Sequence, residues 1–144
     1  LYDVLPRVRS FAFSSHLGEV SELFDQHPIE KAIELVNWKY GGATDYGGSL
    51  LDFAKLAVDD IDSHTTVIIL GDARNNNGDP RLDIMQGIYS RARQVIWLNP
   101  EPRALWGSGD SEMPRYLTCC HFAAECNSLL QLERIIDRLL RSAS

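Results

Sequence analysis

The chain has 144 residues, of which 44% are hydrophobic and 24% are charged, which is ordinary usage for a globular protein built around one core. Its 20 Asp and Glu residues exceed its 14 Lys and Arg residues, and the net charge of −6 disfavours a nucleic-acid partner because phosphate binding needs a basic surface. Apolar runs such as residues 67–70 are strand-sized, far shorter than the roughly 20 residues of a membrane-spanning helix, so we expect no membrane partner.

The first part of the chain predicts a hairpin followed by two helices. Residues 7–14 and 17–24 are expected to form short strands, and because they are adjacent they predict an antiparallel edge of a sheet. Pro28 predicts the start of a helix that ends near residues 38–40. From Ser49 onward, apolar residues recur at helical spacing and predict a helix with one side facing a sheet.

Two further strands are predicted at apolar runs. Residues 65–70 lack alternation, which is typical of a parallel strand covered on both faces, and residues 94–98 predict another buried strand. Between them, Asp79 and Pro80 predict the N-cap and the first residue of a helix. Residues 103–115 predict a long loop, a kind of segment that is usually functional or mobile.

The last helix is predicted after Ser128, which has Gln131 three residues on and so forms a capping box. We expect its core stripe to begin at Leu129. Alternating strands and helices predict an α/β fold of the Rossmann-like, doubly wound type. Such a fold has a mostly parallel sheet, here with one short antiparallel edge strand, and helices on both faces. We expect one domain over residues 1–144.

Cysteine usage favours a reducing compartment such as the cytoplasm. Cys119, Cys120 and Cys126 are odd in number and lack the spacing of a disulfide framework. Zinc binding by these thiols with His121 is disfavoured because adjacent cysteines rarely reach one tetrahedral ion. We expect buried or idle thiols instead.

Two polar turns carry the candidate chemistry. Residues 41–48 form a glycine-rich turn with hard oxygens at Thr44 and Asp45, and residues 71–79 form a second polar turn after an apolar strand. Because ligands bind beyond the carboxyl ends of strands in open α/β sheets, Thr44 and Asp72 are expected to converge. Their oxygens suit Mg²⁺ or Mn²⁺. From residue types alone, the favoured interpretation is that the glycine-rich turn caps a helix and that Asp72 accepts backbone hydrogen bonds.

These turns also resemble a known family. GGATDYGGSL at residues 41–50 resembles the GG-x-T-[DN]-x-G-x-x-L segment of von Willebrand factor A (VWA) domains, and ILGDARNN at residues 69–76 resembles the strand that ends in an aspartate. VIWLNP at residues 95–100 resembles the CoxE-like bacterial branch of that family. The family's first metal motif, D-x-S-x-S, is absent from the chain. We therefore expect the C-terminal portion of a VWA domain, without its first strand and helix.

The resemblance implies a metal-ion-dependent adhesion site, which is a binding site and not an enzyme. Thr44 and Asp72 would be ligands of Mg²⁺ or Mn²⁺ in a site that is incomplete in this chain, and an acidic side chain of a partner protein would complete it. For the CoxE-like branch, the resemblance implies a cytoplasmic protein that works beside a MoxR-type AAA+ ATPase in protein remodelling or metalloenzyme maturation. No G-x-x-x-x-G-K-[ST] motif occurs in the chain, so ATP hydrolysis is assigned to the partner.

A rim for partner contact is predicted around the candidate metal ligands. Asp45 and Tyr46 follow Thr44, and Asn75 lies close to Asp72 in sequence. Trp106 in the long loop is a further candidate contact, although packing against the sheet edge is an alternative for this residue.

Two alternative functions are left open. A Mg²⁺-dependent phosphohydrolase of the haloacid dehalogenase type could use Asp72 in its last acidic motif, but its nucleophile motif D-x-D-x-[TV] does not occur in the chain. The second alternative is a VWA scaffold that binds no metal.

Overall fold

The computed structural model describes residues 7–40 and 43–143. In this part of the chain β1 (Phe11–Phe13) and β2 (Leu17–Glu19) pair antiparallel. A separate parallel sheet has the order β3-β4-β5, formed by Thr66–Leu70, Gln94–Asn99 and Phe122–Glu125. The predicted α/β class, with a parallel sheet and a short antiparallel pair, is confirmed.

Six α-helices are described, together with two short 3₁₀ turns at Val58–Asp60 and Arg103–Leu105. The helices are α1 (Ser21–Gln26), α2 (Ile29–Tyr40), α3 (Tyr46–Ala57), α4 (Leu82–Arg91), α5 (Met113–Leu117) and α6 (Leu129–Ala143). None of the helices in the described ranges is long and apolar enough to cross a membrane.

The central strand β4 organises the core because its side chains alternate between two apolar clusters. Val95 and Trp97 pack on one face with residues of α3, α4 and α5, whereas Ile96 and Leu98 pack on the other face against α6. All four side chains are buried. The prediction of a buried strand with helices on both faces is thus confirmed for β4.

The edge strand β3 is less covered than its sequence predicts. Val67 is buried, but the side chain of Leu70 is 57% exposed. This strand pairs only with β4, and its other edge meets no strand in the described part of the chain. An apolar run without alternation therefore does not establish burial on both faces.

The hairpin is confirmed, but it is shorter than predicted, and in the described residues it forms a two-stranded sheet of its own and not an edge of the parallel sheet. The second strand ends at Glu19, and Ser21 begins α1. Val20, Leu23 and Phe24 lie three and four residues apart, which is helical spacing, so the second half of the predicted strand follows the helical period.

The start of α4 also differs from the prediction. Its N-cap is Arg81, whose φ of 51° is left-handed, and not Asp79. The Asp79 carboxylate accepts the Arg81 backbone N–H at 2.9 Å, and the Pro80 carbonyl accepts the Tyr116 hydroxyl at 2.8 Å. These bonds hold residues 79–81 outside the helix.

The chain after β4 is more regular than predicted. The expected loop at residues 103–115 is interrupted by the turn Arg103–Leu105 and by the start of α5. Strand β5 was not predicted. Half of the predicted capping box of α6 is present, since the Ser128 hydroxyl accepts the Gln131 N–H at 3.2 Å. The side chain of Gln131 accepts the N–H of Asn127 at 2.7 Å and not that of Ser128. Leu129 is 77% exposed, so its predicted core role is wrong, because burial begins only further along the helix.

Candidate metal centre

The two polar turns are joined by hydrogen bonds between their backbones and amide side chains. The backbone N–H of Tyr46 donates to Oδ1 of Asn75 at 2.6 Å, and Nδ2 of Asn76 donates to the carbonyl of Thr44 at 3.1 Å. Asp45 is the N-cap of α3 and accepts the Gly48 N–H at 3.0 Å. The two turns therefore lie against each other.

The backbone around Asp72 is fixed by the neighbouring strand. The Gly71 N–H donates to the carbonyl of Leu98 at 3.1 Å, and the Trp97 indole N–H donates to the carbonyl of Gly71 at 2.8 Å. Nδ2 of the buried Asn99 donates to the carbonyl of Asp72 at 3.3 Å. Asp72 therefore extends from a rigid strand end and not from a loose loop.

The side chain of Asp72 uses one carboxylate oxygen for protein hydrogen bonds. Its Oδ1 accepts from the Tyr46 hydroxyl at 3.3 Å and from the Arg74 N–H at 2.9 Å. Among the described residues, Oδ2 has no hydrogen-bond donor, and the same is true of the Thr44 hydroxyl. Each candidate ligand thus retains one uncommitted hard oxygen.

The donor set fits a hydrated Mg²⁺ or Mn²⁺ ion. Such ions prefer oxygen, keep several waters and are bound through as few as one or two carboxylates. Within residues 7–40 and 43–143, no group of three His, Cys, Asp or Glu side chains could hold a metal. Thr44 and Asp72 would therefore be only two of the ligands of such an ion. No direct contact joins these two side chains, and their convergence on one ion stays a prediction.

A cavity of about 520 Å³ lies beside this centre, between the start of α3 and the second turn. Thr44 lines it together with the carboxylates of Asp45 and Asp79 and the side chain of Arg81, but Asp72 does not. Arg81 forms an ion pair with Asp83 at 3.0 Å. The cavity is therefore bordered by acidic and amide residues and by one arginine.

The predicted partner rim needs correction. Tyr46 is only 4% exposed and Asn75 only 3%, because both side chains hold the two turns together, so neither is available to a partner. Asp45 is exposed and stays a candidate contact.

Trp106 is half-buried and agrees better with the packing alternative. Its indole N–H donates to the carbonyl of Glu101 at 3.0 Å. The guanidinium of Arg103 lies 4.3 Å from the centre of its ring, which is cation–π distance.

Arg74 is a site residue that the sequence analysis missed. Its guanidinium binds both carboxylate oxygens of Glu101 at 2.8 and 3.0 Å, and it also binds Asp110 at 3.1 Å and the carbonyl of Ser108 at 2.9 Å. The hydrogen bond from Arg74 lowers the pKa of Asp110. The hydrogen bonds to Glu101 and then to Asp110 raise the pKa of Arg74. This network holds the loop after β4 against the Asp72 turn. The only local sign of this role in the sequence is that residues 71–79 contain a single arginine among aspartates and asparagines.

The thiols divide between the two faces of the sheet, with Cys119 and Cys120 on one face and Cys126 on the other. Cys119 packs in the cluster that contains Trp97, whereas Cys126 packs in the cluster on the opposite face of the sheet. Burial raises the pKa of the Cys120 thiol to about 12. These positions argue against a shared zinc site.

A parallel sheet between helical layers, with polar turns beyond the carboxyl ends of its strands, defines a Rossmann-like α/β protein. The family model described as VWA domain containing CoxE-like protein matches residues 1–135, and the chain belongs to this family. The resemblance seen in the sequence is therefore confirmed. Comparisons with curated proteins and with solved structures gave no match.

Proposed function

We propose that this VWA-type module binds a partner protein through a divalent metal ion. Thr44 and Asp72 would hold Mg²⁺ or Mn²⁺, and the ion would supply a positive charge that attracts one acidic side chain of the partner. The observation that carries this proposal is the state of the Asp72 carboxylate. Its Oδ1 is occupied by two hydrogen-bond donors, whereas its Oδ2 has none among the described residues.

The partner we propose is a MoxR-type AAA+ ATPase, with protein remodelling or metalloenzyme maturation in the cytoplasm as the shared task. Membership of the CoxE-like family supports this assignment. In this arrangement the chain contributes binding and the partner contributes ATP hydrolysis.

A calorimetric Mn²⁺ titration tests the metal site. The protein is compared with the Thr44→Ala and Asp72→Ala variants, and with Asp25→Ala as a control that removes an exposed carboxylate from α1. We expect one ion per chain, affinity at least tenfold weaker in the two site variants, and no change in the control. If no ion binds, or if the site variants bind as tightly as the unmodified protein, the metal-free scaffold becomes the better interpretation.

Partner binding is tested separately. We expect a MoxR-type ATPase to bind the protein in Mg²⁺ and to dissociate in EDTA, with Asp72→Ala reproducing the effect of EDTA. Equal binding under both conditions would contradict a metal-dependent contact.

A further inference from the structure

The ring of Tyr46 is held rigidly inside the core. Ring centroids of Phe13, Trp97 and Tyr116 lie 5.2, 5.8 and 6.1 Å from that of Tyr46. Aromatic neighbours at these distances restrict the ring, so its hydroxyl occupies one place at the end of β3. The side chain cannot serve as a partner contact, but it can act on its neighbours in the Asp72 turn.

The Tyr46 hydroxyl has one proton to donate, and the structure indicates where it goes. The backbone N–H of Ala73 donates to this hydroxyl at 3.0 Å, and an N–H cannot accept. The hydroxyl proton is therefore available to Oδ1 of Asp72, 3.3 Å away.

Two backbone features accompany the contact between the Tyr46 hydroxyl and the Asp72 turn. A Cβ atom on Gly71 would overlap the Tyr46 hydroxyl oxygen, so only glycine permits the hydroxyl to lie there. Ala73 has a φ of 62°, a left-handed conformation that is unfavourable for a residue with a side chain. Its N–H bond to Tyr46 helps to hold that conformation.

We propose that Tyr46 is a positioning residue that fixes the carboxylate of Asp72 through Oδ1 and leaves Oδ2 as the oxygen available to a ligand. The Arg74 N–H, which donates to the same oxygen, completes the arrangement. This inference rests on the proposed function, because its purpose is to prepare Asp72 as a metal ligand.

The test is a Mn²⁺ titration of Tyr46→Phe with Tyr116→Phe as the matched control. Both phenols are buried and both hydroxyls donate a hydrogen bond, but Tyr116 donates to the Pro80 carbonyl and does not contact Asp72. We expect Tyr46→Phe to weaken Mn²⁺ binding about tenfold, in the range for outer-shell partners of metal ligands. Tyr116→Phe should bind as the unmodified protein does. Unchanged binding in Tyr46→Phe, or equal weakening in both variants, would overturn the proposal.

Amide hydrogen exchange without metal separates this inference from the proposed function. In Tyr46→Phe we expect faster exchange at Ala73 and Arg74, whose N–H groups depend on the Tyr46 and Asp72 positions, and no such change in Tyr116→Phe. If the unmodified protein binds no Mn²⁺, the proposed function fails. Faster exchange in Tyr46→Phe alone would still support the positioning role, whereas unchanged exchange would overturn it.

Discussion

Gly71→Ala tests the close approach between the Asp72 turn and the Tyr46 hydroxyl. The new Cβ would overlap Oη of Tyr46, whereas the next nearest atom, the ring carbon Cζ, is 3.1 Å away. The φ of Gly71 is not left-handed, so the backbone itself accepts alanine. The cost is therefore steric, and removing the hydroxyl should relieve most of it.

The expected magnitudes follow from these contacts. Overpacking costs about 1–3 kcal/mol, and displacement of the hydroxyl leaves the buried Ala73 N–H unpaired at a further cost of about 1 kcal/mol. Gly71→Ala should thus lower the free energy of unfolding by about 2–4 kcal/mol. In a Tyr46→Phe background the nearest contact becomes 3.1 Å, and the same change should cost about 1 kcal/mol. The coupling between the two substitutions is then about 2 kcal/mol.

The assay is urea denaturation of the four proteins in this double-mutant cycle, followed by circular dichroism of the helices. The slope of unfolding free energy against urea must stay constant across the cycle for the comparison to hold. If the two substitutions are additive to within about 0.5 kcal/mol, the hydroxyl and Gly71 do not interact and the reasoning about the Asp72 turn is wrong.

Two further predictions concern ion pairs. Arg74→Ala should raise the pKa of Asp110, measured by NMR titration, because the Arg74 hydrogen bond lowers it. The same substitution should make the loop beyond Glu101 more sensitive to limited proteolysis. Unchanged digestion would contradict the role of Arg74 in holding this loop. The hydrogen bond from Arg9 lowers the pKa of Glu19 from 4.5 to about 2, so this pair stabilises the fold above pH 4.5 and loses that contribution as the pH falls toward 2. Because Glu19 is partly exposed, we expect only about 1 kcal/mol. Glu19→Gln should remove this part of the pH dependence of the free energy of unfolding. If the unmodified protein and the variant lose stability equally as the pH falls, the predicted contribution of the Arg9–Glu19 pair is wrong.

Local signals explain which parts of the fold the sequence could predict. The apolar run of β4 and the hydroxyl cap at Ser128 act within a few residues, and the strand and the bond from the Gln131 N–H to the Ser128 hydroxyl are both confirmed. Strand β5 has two alanines and little intrinsic β preference, so its pairing with β4 decides its conformation. The start of α4 depends on the distant Tyr116 hydroxyl, which no local pattern reveals.

The residues of the candidate site also differ in whether local sequence or distant contacts determine their role. Thr44 and Asp72 could be named as candidate ligands because turn composition and family pattern are read along the chain. Tyr46 was misplaced on the rim because an aromatic residue between an aspartate and glycines suggests an exposed turn. Its burial depends on rings from β1, β4 and α5. The acidic partners of Arg74 are 27 and 36 residues away, so the sequence does not show that they pair with it.

The bond between the Trp97 indole and the carbonyl of Gly71 gives the protein a built-in optical probe. Trp97 is completely buried and stacked on Tyr116, with ring centroids 4.9 Å apart. Coupled rings in a fixed arrangement produce near-ultraviolet dichroism, and the emission of an indole depends on the partner of its N–H group. Because that partner immediately precedes Asp72, a shift of this turn would change the Trp97 signal without any attached dye.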